Sequence, residues 1–277
     1  MANLGLTQAM AGKGDTVLED RLNHASLLDG GLLSGARLMR YRHNDAGELD
    51  TKLASRKQGE KLVLSDGVFS MDGDIADVAA LAETCQRHDA WLMIDDAHGF
   101  GVLGDNGRGT LEHTGVSTAA VPVYMATLGK ALGTAGAFVS GSDELVETLI
   151  QRARTYIYTT ATPAAVAEAT RASLKLIQTE PQWRERLQQN IRYFRNCCNQ
   201  TNIQLSESKT AIQPIIIGDT EEAVRMSNTL FANGILVTAI RPPTVPEGTA
   251  RLRITLSAAH NSEQIDKLIS TLNTIRQ

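Results

Sequence analysis

No stretch of the 277 residues is apolar for long enough to span a bilayer. The opening residues, MANLGLTQAMAGKGD, have neither a basic n-region nor a sustained apolar core, which argues against a secretory signal. There is no Lys/Arg-rich run, and the net charge is −4, a balance that speaks against a nucleic-acid footprint or a polybasic membrane surface. Cysteine is sparse: Cys85, Cys197 and Cys198 form no C-x-x-C pair, and the adjacent two sit poorly for a bridge to each other. They read as free thiols of a reducing compartment, and the cytoplasm is the expected location. Repeats, low-complexity tracts and linkers are also lacking. What remains is ordinary for a globular chain with a buried core: 42% hydrophobic and 21% charged residues. The length suits one large α/β unit, or a large domain with a small one.

Through about residue 140, short apolar runs alternate with stretches of helical period. Leu62–Ser65, Trp91–Asp95, Pro122–Ala126 and Ala137–Ser140 read as buried strands, with weaker candidates at Val17–Asp20 and Arg37–Tyr41. Ile75, Val78, Ala82 and Cys85 recur at helical spacing within Ile75–His88. Such alternation implies a mostly parallel sheet flanked by helices on both faces, an α/β domain. Thr162 followed by Pro163 predicts the cap and first residue of a helix reaching about Gln178. Beyond it come a helix at Trp183–Cys198, a strand near Ala211–Ile217 and a helix opened by Asp219 with Glu222 and stopped near Gly234. Strands near Val237–Ile240 and Leu252–Thr255 precede a last helix, Glu263–Ile275. In that helix Ile265, Leu268, Ile269, Leu272 and Ile275 form one stripe. These runs predict a smaller C-terminal α+β domain, with residues 1–160 as the large domain and 161–277 as the small one. Ala2–Ala11 looks helical, yet neither a strand nor a capping residue precedes it, so a further segment is expected upstream.

The chemistry concentrates at strand ends. Trp91-Leu-Met-Ile-Asp95-Asp96-Ala97-His98 is an apolar strand closed by a carboxylate, with an imidazole three residues on. Ligands of open parallel sheets sit at the carboxyl ends of strands, which places Asp95 and His98 at a site. The same residues could equally be a turn-forming aspartate and a surface histidine. The next strand ends in Thr127-Leu-Gly129-Lys130, with room between the two for a crossover connection. A T-x-G-K by itself is weak, and the phosphate-binding G-x-x-x-x-G-K-[ST] spacing is absent. A lysine and a carboxylate on neighbouring strand ends nevertheless suit pyridoxal phosphate. The amine forms a Schiff base with it, and the acid keeps the pyridine nitrogen protonated. Asp72 and Asp74 raise the thought of calcium, but the spacing of a calcium loop is missing and no metal is expected.

Asp95-Asp-Ala-His98-Gly-Phe-Gly followed by Thr127-Leu-Gly-Lys130 resembles the α-oxoamine synthases, within the aspartate-aminotransferase fold group. Arg21-Leu-Asn-His24-Ala25-Ser26-Leu27, Asp66-Gly-Val-Phe-Ser70-Met-Asp-Gly-Asp74 and Arg251-Leu-Arg253-Ile are similar to further family segments. The stretch from Thr238 through Pro246 to Arg253 looks like the member that joins L-alanine to a pimeloyl thioester in biotin synthesis. The resemblance covers essentially the whole chain.

The resemblance implies the fold type I architecture of pyridoxal-phosphate-dependent transferases, with Ala137–Ser140 as its one antiparallel strand, and a cytoplasmic homodimer. It implies that Lys130 holds pyridoxal 5'-phosphate covalently and later moves the substrate α-proton. Asp95 would pair with the pyridinium, His98 would bond the ring's phenolic oxygen with Ser70 beside it, and Thr127 would contact the phosphate. His24 would stack on the ring and help position substrate. Arg253 would clamp the amino-acid carboxylate, a task suited to the guanidinium fork, and Thr244 would touch the acyl group. The family pattern also has a strand, a glycine-containing turn and an N-terminal arm ahead of Ala2. The chain therefore resembles the last three quarters of such an enzyme, and poor activity of this chain is expected. Two alternatives stand beside this reading: a sibling condensation of glycine with another acyl-CoA, and a truncated fragment without activity.

Overall fold

The structure, a computed structural model, describes residues 1–201 and 203–276. The chain forms two compact units, Met1–Phe69 with Ile75–Glu180, and Ser70–Asp74 with Pro181–Gln277. The division falls at residue 180 and not near 160. The helix Ala164–Thr179 is tied to the first unit by Ser173 Oγ, which donates to the Leu132 carbonyl at 2.9 Å, and by Thr170 Oγ1, 3.0 Å from Thr134 Oγ1. The five residues Ser70–Asp74 go with the second unit. There Arg251 lies 2.5 Å from the Asp72 carboxylate, and the Gly73 carbonyl accepts from Ser208 and Thr210 at 2.9 Å each.

The first unit is built on six strands: β1 (Thr16–Asp20), β2 (Arg37–Tyr41), β3 (Lys61–Asp66), β4 (Trp91–Asp95), β5 (Val123–Thr127) and β6 (Ala137–Ser140). Their order is β2-β1-β3-β4-β5-β6; all neighbours are parallel except β6, which runs antiparallel to β5 as expected. Successive side chains of a strand alternate between faces. On one face Leu18, Val63, Leu92 and Ile94 join Leu49, Leu53, Val78 and Leu81 from helices Ala46–Ala54 and Val78–Arg87. On the other, Val17, Leu62, Leu64, Met93, Val123 and Met125 meet Leu6, Leu27 and Leu145 from helices Ala2–Met10, Ala25–Ser34 and Asp143–Arg152.

Two helices start later than their sequence pattern suggests. Ile75 is used in a bridge to Val68, so Asp77 becomes the cap, accepting from Ala80 N–H at 3.1 Å. Pro163 has ψ 138 and is itself the cap residue, which moves the helix start to Ala164. The second unit has strands β7 (Ile212–Gly218), β8 (Thr238–Ile240) and β9 (Ala250–Thr255) in the antiparallel order β7-β9-β8. Its helices are Gln182–Gln200, Thr220–Ala232 and Ser262–Ile275. Asp219 caps the second of them through Glu222 N–H at 2.8 Å, and a reciprocal Asn261–Gln264 capping box opens the third. No helix among the described residues is long and apolar enough to cross a membrane.

A core position of β1 carries an acid without a hydrogen-bond partner among the described residues. Glu19 of β1 is fully buried on the face that holds Val17, and neither carboxylate oxygen has a hydrogen-bond partner among the described residues. Burial outweighs the pull of Arg40 and the nearby Asn23 amide and raises its pKa from 4.5 to about 7. Between those values the folded state binds a proton that the unfolded chain releases, so stability falls as pH rises through the window. The loss is on the order of 3 kcal/mol, complete above about pH 7. Glu19→Gln removes the ionisation. Urea unfolding at pH 5 and pH 8 is expected to show a gain over the parent chain that is larger at pH 8 by about 2–3 kcal/mol; equal gains at both values would exclude this account.

Candidate active site

The alternation that sorts the core also sorts the strand ends. Asp66, Asp95 and Thr127 close β3, β4 and β5. Each lies two residues beyond a side chain of the Leu64–Met93–Met125 face, so all three belong to that face. Asp66 and Asp95 are register partners on adjacent parallel strands, and both are buried. On that face lie helix Ala2–Met10 and helix Ala25–Ser34, the second capped by His24.

Asp95 is held by two N–H donors. Oδ1 accepts from Ala97 N at 3.0 Å, and Oδ2 accepts from Asn3 Nδ2 at 2.7 Å. Asp66 Oδ2 accepts from the His24 backbone N–H at 2.8 Å, and Asp66 N–H donates to Asn23 Oδ1 at 3.0 Å. Burial first, and the neighbouring Asp95 second, push the Asp66 carboxyl well above the usual carboxylate range; the His24 N–H and the Lys130 charge oppose them. Asp66 is therefore disposed to keep a proton. Lys130, three residues after β5, is exposed and near enough for its ammonium to act on Asp66. His98 is half-buried in the loop after β4.

That loop is shaped by the next residue of the chain. Asp96 accepts from Thr110 N at 2.6 Å, from the Thr110 hydroxyl, and from Tyr124 Oη at 2.5 Å. A Cβ on Gly99 would stand 2.1 Å from Asp96 Oδ1, and Gly109, at φ +88, would bring one to 1.9 Å from Oδ2. Only glycine fits at these two points. Thr127 works locally as well: Oγ1 donates to the Gly136 carbonyl at 3.1 Å and accepts from Gly129 N at 3.3 Å, bracing the turn before Lys130.

The first unit thus brings His24, Asp95, His98, Thr127 and Lys130 to the carboxyl end of one sheet. The second unit contains the other three expected site residues. Arg253 lies in the central strand β9; its Nε donates to the Ser70 carbonyl at 2.5 Å and Nη1 reaches Thr255 Oγ1 at 3.2 Å. Burial lowers its pKa from the ordinary value. Ser70 is buried, and Thr244 is exposed in a turn where its N–H donates to the Arg241 carbonyl at 3.0 Å.

The donor set fits pyridoxal phosphate on the structure's own terms. A buried carboxylate already held by two N–H groups suits a pyridinium partner, an amine stands within electrostatic reach, and an imidazole and a hydroxyl flank them. The profile of the aminotransferase class I and II family matches residues 1–272. An 8-amino-7-oxononanoate synthase of Thioalkalivibrio sulfidiphilus is 60% identical over 274 residues, covering 99% of this chain and 70% of the relative. Another, of Methylococcus capsulatus, is 60% identical over 272 residues, covering 98% and 70%. Among solved structures, Sphingomonas wittichii serine palmitoyltransferase superposes with a TM-score of 0.94 at 33% identity, over 99% of this chain and 69% of that one. The 8-amino-7-oxononanoate synthase of Francisella tularensis gives 0.87 at 34%, over 99% and 78%. The fold is thus that of a pyridoxal-phosphate-dependent transferase. The chain belongs to the class I and II aminotransferases and, within them, to the 8-amino-7-oxononanoate synthases.

Three residues of the site carried no assigned role in the sequence reading: Asn3, Ser26 and Asp66. Ser26 and Asp66 stand inside motifs quoted for their neighbours. Asn3 offered only one signal, an amide in the first turn of a helix.

The Asp96 cluster yields a test. Burial raises its pKa to about 6, against three donors that lower it. Tyr124→Phe removes one donor, raises that value further, and so costs more once the pH passes about 6. We expect a loss of about 1.5–3 kcal/mol in urea unfolding at pH 8 and a smaller one at pH 5.

Proposed function

We propose that this protein catalyses the decarboxylating condensation of L-alanine with a pimeloyl thioester, with pyridoxal 5'-phosphate as cofactor. The thiol carrier is coenzyme A or acyl carrier protein, and the products are 8-amino-7-oxononanoate, carbon dioxide and the free thiol. The observation that carries the reading is the buried, N–H-braced Asp95 beside Asp66, within the field of Lys130, in a chain about 60% identical to synthases of this name. When bound, the cofactor supplies an aldehyde for the substrate amine and a ring that accepts the electron pair of the α-carbon.

The chain's own groups then have these tasks. Lys130 would hold the cofactor through its amine and would serve as the base for the alanine α-proton. Asp95 would keep the pyridine nitrogen charged, while His98 would hold the ring oxygen and Thr127 the phosphate. His24 would cover the ring face, Arg253 would receive the substrate carboxylate and Thr244 would border the acyl chain. A bond forms between the alanine α-carbon and the thioester carbonyl, and the carbon–sulfur bond breaks with the electron pair leaving on sulfur. The bond to the carboxylate breaks next, releasing carbon dioxide, and a proton returns to the carbon. The enzyme is a cytoplasmic homodimer in this reading, and its two units are a cofactor-binding domain and a smaller C-terminal one.

Two experiments test it. Borohydride added to the protein with pyridoxal 5'-phosphate is expected to fix a phosphopyridoxyl group on Lys130, read by peptide mass spectrometry. Labelling elsewhere, with Lys130→Ala still coloured, would remove the central assignment. In turnover with a pimeloyl thioester, L-alanine is expected to exceed glycine in kcat/KM by about 10–200-fold, the range one methyl group permits. A preference for glycine with acetyl-CoA would move the reading to the sibling reaction.

A further inference from the structure

Asn3 is 3% exposed and sits at the start of a helix whose other inward side chains are apolar or small. Its Nδ2 has two hydrogens and two acceptors: Asp95 Oδ2 at 2.7 Å and Ser26 Oγ at 2.9 Å. The carboxylate decides which way the amide faces, because a flipped amide would set oxygen against oxygen. The other amide atom, Oδ1, is left buried and unpartnered, a cost the fold accepts for this orientation.

The direction of the bonds continues to His24. Ser26 Oγ accepts from Asn3, so its own hydrogen is left for His24 Nδ1, 2.8 Å away. The Ser26 backbone N–H also points at Nδ1, at 3.2 Å, and a backbone N–H can only donate. Nδ1 therefore presents a lone pair to two donors, and the ring proton resides on Nε2. The His24 backbone is fixed separately through Asp66 Oδ2 at 2.8 Å.

We propose that Asn3 is a positioning residue: its amide couples Asp95 to His24 through Ser26 and holds the imidazole in the tautomer protonated at Nε2. Resting on the cofactor reading above, this assigns one side chain to both polar anchors of the site, the acid at the ring nitrogen and the imidazole at the ring face. Nε2–H is then the donor available to an acceptor oxygen of the bound substrate.

The test uses the 277-residue protein labelled with ring-15N histidine, His24 being assigned by H24Q. Long-range 1H–15N correlation is expected to show pyridine-type Nδ1 and pyrrole-type Nε2 in the parent. S26A should shift both signals toward a tautomer average, S26T should restore them, and N3A should shift them in the same direction. Titration with pyridoxal 5'-phosphate should show affinity weakened about ten- to hundredfold in N3A, the range for loss of a charge-assisted hydrogen bond. A parent protonated at Nδ1 overturns the proposal. So do a His24 spectrum unchanged in N3A and S26A, even if N3A lowers the unfolding midpoint, and a cofactor affinity unchanged in N3A. Should N3A not fold, the S26A and S26T pair decides. If the parent takes up no pyridoxal 5'-phosphate, the function proposed above fails, while the tautomer readout still judges the relay.

Discussion

The register between β3 and β4 is the constraint on which the site depends. Asp66 pairs with Asp95 at the ends of two parallel strands, and the period of two turns both side chains to the helix Ala2–Met10 face. A slip by one residue in either strand would send its acid to the opposite face and one of Leu64 or Met93 out of its core. The hydrophobic pattern that fixes the core thus fixes the acids as well. It also explains why the site lies at this end of the sheet: Thr127 and the turn to Lys130 follow from the same parity in β5.

Placing two carboxyls side by side under a helix has an electrostatic consequence, and the structure answers it asymmetrically. Asp95 receives an amide N–H and a backbone N–H, both to its oxygens. Asp66 receives one, from His24, and is pushed well above the ordinary carboxylate range by burial and by its neighbour. A neighbouring negative charge in a low-dielectric setting disfavours ionisation of Asp66. Glu19, further back on the same face, is a third acid of this kind and lacks even one donor among the described residues. Stability is given up along this face, as is common where a site demands groups a core would not choose.

Much of the architecture was legible in the sequence. The six strands of the first unit and the three of the second lie at the expected segments to within one or two residues, because strong apolar runs between polar turns have few other solutions. The helix Ala25–Ser34 was not legible. Its sequence, ASLLDGGLLS, has two central glycines and poor intrinsic propensity. It is helical because those glycines allow close approach: a Cβ on Gly30 would meet Asn3 O at 3.2 Å and Thr7 Oγ1 at 3.0 Å, and one on Gly31 would meet Leu38 at 2.8 Å. The division at residue 180 was hidden for a similar reason. The hydroxyls of Thr170 and Ser173 tie their helix to the residues after Lys130, and no periodicity announces such bonds.

The site was legible where chemistry forces a residue type and illegible where it forces only a contact. A lysine, a strand-end aspartate and a histidine three residues later are conspicuous because few other uses suit them in that order. An asparagine that serves an aspartate 92 positions away is not, since amides occur at helix starts for many reasons. The Gly30 contact closes this gap physically. The two helices must touch backbone to backbone at Gly30 for Asn3 to stand between Asp95 and Ser26, so glycines that looked like weak helix formers are part of what builds the site. Local propensity is overridden there by packing, and the packing in turn sets the distance over which a polar relay can act.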